Sequence, residues 1–118
     1  MQLMPSSTHL NETLPAPRAA PAELAASATE AARLLRLLAH EKRLLVLCLL
    51  AGGAERSAGE LVAASGLSQS ALSQHLALLR ADKLVATRRI GQTILYRLAD
   101  PRAARLIGTL HDIFCPAE

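Results

Sequence analysis

A chain of 118 residues, half of them apolar, is long enough for one compact domain with one core. Aromatics make up 2% of it, Tyr96 and Phe114 alone, so the core must be built from Leu, Ala, Val and Ile on helices, and the expected class is mainly α. The formal charge of +3 suits a few arginines meeting an anion better than a general polyanion sponge, and the longest apolar run, Leu44 to Ala51, is far too short to span a membrane, so a cytoplasmic location without a membrane partner is expected.

Residues 1–20 carry Pro5, Pro15 and Pro17 among Ser6, Ser7, Thr8 and Asn11 without sustained periodicity, and read as a disordered tail that includes His9. Residues 21–118 then read as a single domain. Pro21-Ala22-Glu23 opens a first helix, with Pro and an acid in its first turn, and Leu24, Ala28, Ala31, Leu35 and Leu38 keep an apolar stripe along it. An Ala-rich stripe lets another helix approach closely, which suits a dimer interface, although a contact inside one chain would leave the same pattern. His40 stands where a second, strongly apolar helix begins and reads as a cap or a surface residue. Ser57-Ala58-Gly59-Glu60 has the Ser-x-x-Glu form of a capping box and opens a short helix through Leu61, Val62 and Ala63. Ser65-Gly66 stops it, Gly66 supplying the left-handed residue that a helix end needs.

The run from Leu67 to Arg80 predicts a further helix. Ser68 caps its start, and Leu72, Leu76 and Leu79 recur at the spacing of one buried face. The opposite face carries Gln69, Ser70, Ser73, Gln74 and Ala77. Small polar side chains there let a helix sit deep in a major groove, where Gln pairs bidentately with adenine and Ser bonds base edges or phosphate. An ordinary amphipathic surface helix is the alternative, but such a face is usually rich in Lys and Glu, and this one has neither. Two short helices meeting at a tight turn make a helix-turn-helix, with His75 beside the buried face, placed to bond the backbone or a phosphate.

Leu84 to Arg89 and Thr93 to Leu98 are β-prone stretches flanking Ile90-Gly91-Gln92, a hairpin signal with Gly at the turn. Arg88, Arg89 and Arg97 lie on or near it with Gln92 at its tip, so it reads as a wing against phosphates or a minor groove, or else as a solvated basic hairpin. The DNA-contact candidates are therefore Ser68, Gln69, Ser70, Ser73, Gln74, Arg88, Arg89 and Gln92. Asp100-Pro101 opens the last helix, with Ala103, Leu106, Ile107, Leu110, Ile113 and Phe114 as its apolar side. No phosphate-binding Gly loop, nucleophile elbow or dense carboxylate pair is present, so no catalytic residue and no cofactor is expected.

These segments together resemble the ArsR/SmtB family of dimeric winged-helix repressors over Arg33 to Cys115. The likeness rests on Leu38 to Leu50, the Leu67-to-Arg80 segment and Arg89 to Tyr96, in that order and spacing. It implies a winged helix-turn-helix homodimer, with the first and last helices at the dimer interface, on a pseudo-palindromic double-stranded operator. A winged helix that binds only another protein remains a different reading.

Two cysteines remain. Cys48 lies in the apolar second helix, where a small buried hydrophobe is the ordinary role, and Cys115 ends the last helix, one turn after His111. A protonated His111 favours the thiolate, while the helix C-terminus disfavours it. The sequence around Cys48, around Leu110 to Cys115, and from Ser68 to Leu76 is similar to the dithiol persulfide- and redox-sensing branch of the family, the BigR, SqrR and HlyU type. That resemblance implies that reactive sulfur species join Cys48 and Cys115 by a disulfide or polysulfide link, releasing DNA. A metal or metalloid sensor is the rival, since thiolate and imidazole from Cys48, Cys115, His40 and His111 suit soft ions. The sites associated with the family's metal sensors are missing: there is no Cys-x-Cys in the stretch around Glu60, and Arg102 stands where a His after Asp100 would be. No metal site is assigned.

Overall fold

The computed structural model describes residues 20–115. Of the expected tail over 1–20, residues 1–19, with His9, lie outside the described residues. The described residues fall into two units, 20–32 and 33–115.

Within the first unit the described residues form the beginning of helix α1 (Pro21–Leu38). Glu23 closes its first turn by accepting from the Ala20 N–H at 2.8 Å. Of the apolar stripe along α1, Leu24, Ala28, Ala31 and Leu35 are exposed in the single chain and Leu38 is buried. Leu34, off that stripe, is the other buried residue of α1. The face that faces a core is chosen by what packs against it, and the period of the sequence alone does not choose it.

The second unit runs from the end of α1 through α2 (Glu41–Leu49), a 3-10 turn (Ala51–Gly53), β1 (Arg56–Ser57), α3 (Ala58–Ser65), α4 (Gln69–Ala81), β2 (Val85–Ile90), β3 (Thr93–Leu98) and α5 (Pro101–Phe114). His40 caps α2, its Nδ1 accepting from the Lys42 N–H at 3.2 Å. At α3 both halves of the capping box form: the Ser57 hydroxyl accepts from the Glu60 N–H, and the Glu60 carboxylate accepts from the Ser57 N–H at 2.8 Å. Asp100 caps α5 by accepting from the Arg102 and Ala103 N–H groups, with Pro101 in the first turn.

The hairpin is part of a three-stranded antiparallel sheet of order β1-β3-β2. The added strand is two residues long, Arg56 opposite Tyr96 and Ser57 opposite Leu95. Arg56 also donates from Nε to the Leu49 carbonyl at 2.8 Å, tying β1 to the end of α2. At the turn Gly91 has φ +61° and Gln92 follows without a positive φ, the sign pattern of a type II′ hairpin.

The core is aliphatic, as the composition demands: Val46, Leu47 and Leu50 of the α2 region, Leu61 of α3, Leu72 and Leu79 of α4, and Ala103 and Ile107 of α5 are buried together. On α5 the expected apolar side holds for Ala103 and Ile107, but Ile113 and Phe114 stand exposed at 61% and 74%. The architecture is a winged helix-turn-helix.

Candidate DNA-binding surface and thiol groove

The helix-turn-helix is α3, a short turn and α4. Gly66 has φ +73°, a conformation that costs a side-chain-bearing residue about 1 kcal/mol or more, and it lets the chain reverse after α3. Buried Ser65 holds the same turn, its hydroxyl accepting from the Leu67 N–H at 3.1 Å. The Ser68 hydroxyl then caps α4 by accepting from the Ala71 N–H at 3.0 Å. Leu72, Leu76 and Leu79 anchor α4 in the core. Gln69, Ser70, Ser73, Gln74 and Ala77 are exposed, so the face free of Lys and Glu is presented to solvent.

His75 takes another role from the one its spacing suggests. Its ring lies edge-on to His40 with centroids 4.9 Å apart, joining α4 to the start of α2. Burial lowers its pKa, and the charges of His40 and Arg43 lower it further. The Arg43 Nε is itself buried without a hydrogen-bond partner.

On the wing the three arginines do not form one cluster. Pairing of Val85 with Leu98, Thr87 with Tyr96 and Arg89 with Ile94 puts Arg89 on the face of buried Val85, the side turned to the helices. Arg88 and Arg97 point from the opposite face. Arg88 is engaged by Glu55, Nε to Oε2 and Nη2 to Oε1 at 2.6 Å each, a partner the sequence reading did not supply. Arg89 makes no ion pair among the described residues, and Gln92 is exposed at the tip.

Cys48 and Cys115 are brought to one groove of about 280 Å³ between α2 and α5. Glu41, Leu44, Leu45 and Cys48 form one wall at the i, i+3, i+4, i+7 spacing of a helix face, and Leu110, His111, Phe114 and Cys115 form the other. Both thiols are free; Cys48 is half-buried and Cys115, at the C-cap of α5, is exposed. Burial pushes the Cys48 thiol up, and Cys115 nearby adds to the rise, because a second thiolate there repels the first. Among the described residues no three His, Cys, Asp or Glu side chains are placed to hold a metal ion, and no helix is long and apolar enough to cross a membrane.

The sequence profile of bacterial regulatory proteins of the arsR family matches residues 40–87. The HTH-type transcriptional regulator YgaV of Escherichia coli is 47% identical over 95 residues, 80% of this chain and 96% of that protein. The chain belongs to the arsR family. The biofilm growth-associated repressor of Agrobacterium fabrum is 52% identical over 91 residues, 77% of each chain. Among solved structures, the transcriptional repressor BigR from Xylella fastidiosa superposes with a TM-score of 0.75 at 41% identity, covering 81% of this chain and 94% of that one. This arsR-family chain is accordingly a DNA-binding transcriptional regulator of the BigR and HlyU type and not an enzyme.

Proposed function

We propose that this chain is a homodimeric repressor whose operator affinity is switched by a covalent sulfur link between Cys48 and Cys115, formed on reaction with reactive sulfur species. The observation that carries the reading is the shared groove: two thiols from helices distant in sequence line one cavity of about 280 Å³. The chemistry balances with a hydropersulfide RSSH as oxidant. Exposed Cys115 takes the outer sulfur and releases RSH; the Cys48 thiol then attacks the Cys115 sulfur, forming the disulfide and expelling H₂S. A second equivalent of RSSH that first converts the Cys48 thiol to a persulfide, with release of RSH, lets its outer sulfur attack the Cys115 sulfur and expel H₂S, giving a trisulfide that spans a wider gap.

Operator readout falls to Gln69, Ser70, Ser73 and Gln74 on the exposed face of α4, with Ser68 at its cap and Arg88, Arg89 and Gln92 on the wing. The tail over 1–20 precedes a DNA-binding and dimerisation domain over 21–118. Exposed Leu24 and Leu35 on α1, and exposed Ile113 and Phe114 on α5, supply apolar surface for the dimer contact. A two-fold dimer reads a pseudo-palindromic duplex. A link that clamps α5 to α2 then shifts the spacing between the two recognition helices, and affinity falls because both must meet their half-sites together.

The test uses the reduced protein and a duplex it selects from a random pool. Persulfide should release the duplex as peptide mapping shows a Cys48–Cys115 link. Cys48→Ser and Cys115→Ser should each bind when reduced and stay bound after treatment. Release from Cys115→Ser as readily as from the parent overturns the mechanism, and release by zinc or arsenite without a sulfur link moves the inducer to metals.

A further inference from the structure

We propose that Glu55 is an internal counter-charge that sets how strongly the wing grips DNA phosphates, holding Arg88 in a two-pronged pair that must open before Arg88 meets the backbone. The inference rests on the reading of the hairpin as a DNA-contacting wing, and it is independent of the thiol switch.

The geometry is specific. Glu55 directly precedes β1, Arg88 lies on β2, and β3 runs between them, so the Arg88 side chain reaches across the sheet to make both contacts at 2.6 Å. Arg56 stands opposite Tyr96, which carries the register of Glu55 toward Arg97, the residue opposite Ala86. Glu55 therefore sits two residues nearer the base of the hairpin than Arg88, and the pair draws the guanidinium away from the Gly91-Gln92 tip. The Glu55 carboxyl is held below the usual range by the hydrogen bonds from Arg88, with the charges of Arg88 and Arg97 adding and desolvation opposing. One carboxylate thus engages Arg88 directly and feels the charge of Arg97, whereas Arg89 stands on the other face of the sheet.

A phosphate offers the guanidinium fork the same two-oxygen edge as a carboxylate, so DNA and Glu55 compete for the same donors. Arg88 itself is exposed, and an exposed pair opens readily in favour of a more strongly charged partner. Because phosphate contacts supply nearly all non-specific affinity, the competition falls most heavily on non-operator DNA. Glu55 is then a specificity-determining residue: it restrains backbone grip while leaving base readout by α4 untouched.

The test is a double-mutant cycle read as salt dependence, with the reduced protein on its selected duplex and on a scrambled one. Glu55→Gln keeps the shape and removes the charge. It should tighten binding to the scrambled duplex about five- to tenfold near 0.1 M salt and steepen the log K against log salt slope by about one unit, the signature of one added phosphate contact. Arg88→Ala alone should weaken both duplexes about two- to threefold, because the exposed pair already yields the guanidinium to phosphate part of the time. The double variant should match Arg88→Ala alone. A gain from Glu55→Gln that persists in the Arg88→Ala background would show simple loss of a negative charge and overturn the proposal, as would no gain at all. A parent protein that binds neither duplex at low salt overturns the wing reading itself, and the inference with it.

Discussion

Linking Cys48 to Cys115 should make the protein markedly harder to unfold. The bridge closes a loop of about 70 residues, and loop-closure entropy removed from the unfolded chain is then worth about 4 kcal/mol. Native strain subtracts from that figure. The two attachment points differ in how they yield: Cys48 follows Val46 and Leu47, both fully buried, whereas Cys115 follows exposed Phe114 at the end of α5. Adjustment therefore falls on the last turn of α5 and leaves the core in place, so most of the gain, about 2 to 4 kcal/mol, survives. With a urea slope of about 1 to 2 kcal/mol/M for a chain of this size, the midpoint should rise by about 2 M. Urea titrations of reduced and linked protein at equal concentration measure this directly, with Cys48→Ser treated identically as the control that must not shift. A linked form whose midpoint is unchanged or lower would refute the reasoning, because bridging would then have to pull α2 or α5 out of the core.

Lys83 is the one non-glycine among the described residues with a positive φ, +62°, and its N–H and that of Leu84 close α4 onto the Arg80 and Leu79 carbonyls. Lys83→Gly should therefore stabilise by about 0.5 to 1 kcal/mol, and a lower thermal midpoint would show that the left-handed backbone is not strained there. His75 has its folded pKa below its unfolded value, so the unfolded chain binds more protons between the two, and the contribution of neutral His75 to stability should decline as pH falls through about 6.5 and level off below the folded value. Thermal midpoints between pH 7.5 and 5.5 should show this slope, and His75→Asn should flatten it; an equal slope in the variant would place the effect elsewhere. At pH 7 iodoacetamide should label exposed Cys115 several-fold faster than half-buried Cys48, whose thiol burial pushes up; equal rates by peptide mapping would remove Cys115 as the first thiol to react.

Short-range chemistry was legible in the sequence because it depends on neighbours a few residues apart. The Ser57–Glu60 box, the Ser68 cap, the Gly66 reversal, the Leu72, Leu76 and Leu79 face and the Gly91 turn all follow from backbone donors, steric limits and helix period, and all stand in the structure. The third strand was not legible, since two residues carry no alternating pattern. Nor was the choice of Leu34 over Leu35, because one turn of a helix offers either face to whatever packs on it. The left-handed Lys83 is held by buried Leu79 and Leu84, and no local preference of lysine announces it. Composition showed arginines in the wing, but only strand register divided them between two faces and brought Glu55, 33 residues away, onto Arg88. The two thiols are parallel: residue types alone left Cys48 an ordinary buried hydrophobe and Cys115 ambiguous, a family resemblance paired them, and the packing of α5 beside α2 placed them in one groove. Local rules act within a turn of helix or a pair of strands, whereas contacts between distant segments exist only once a shared core has closed the loops between them.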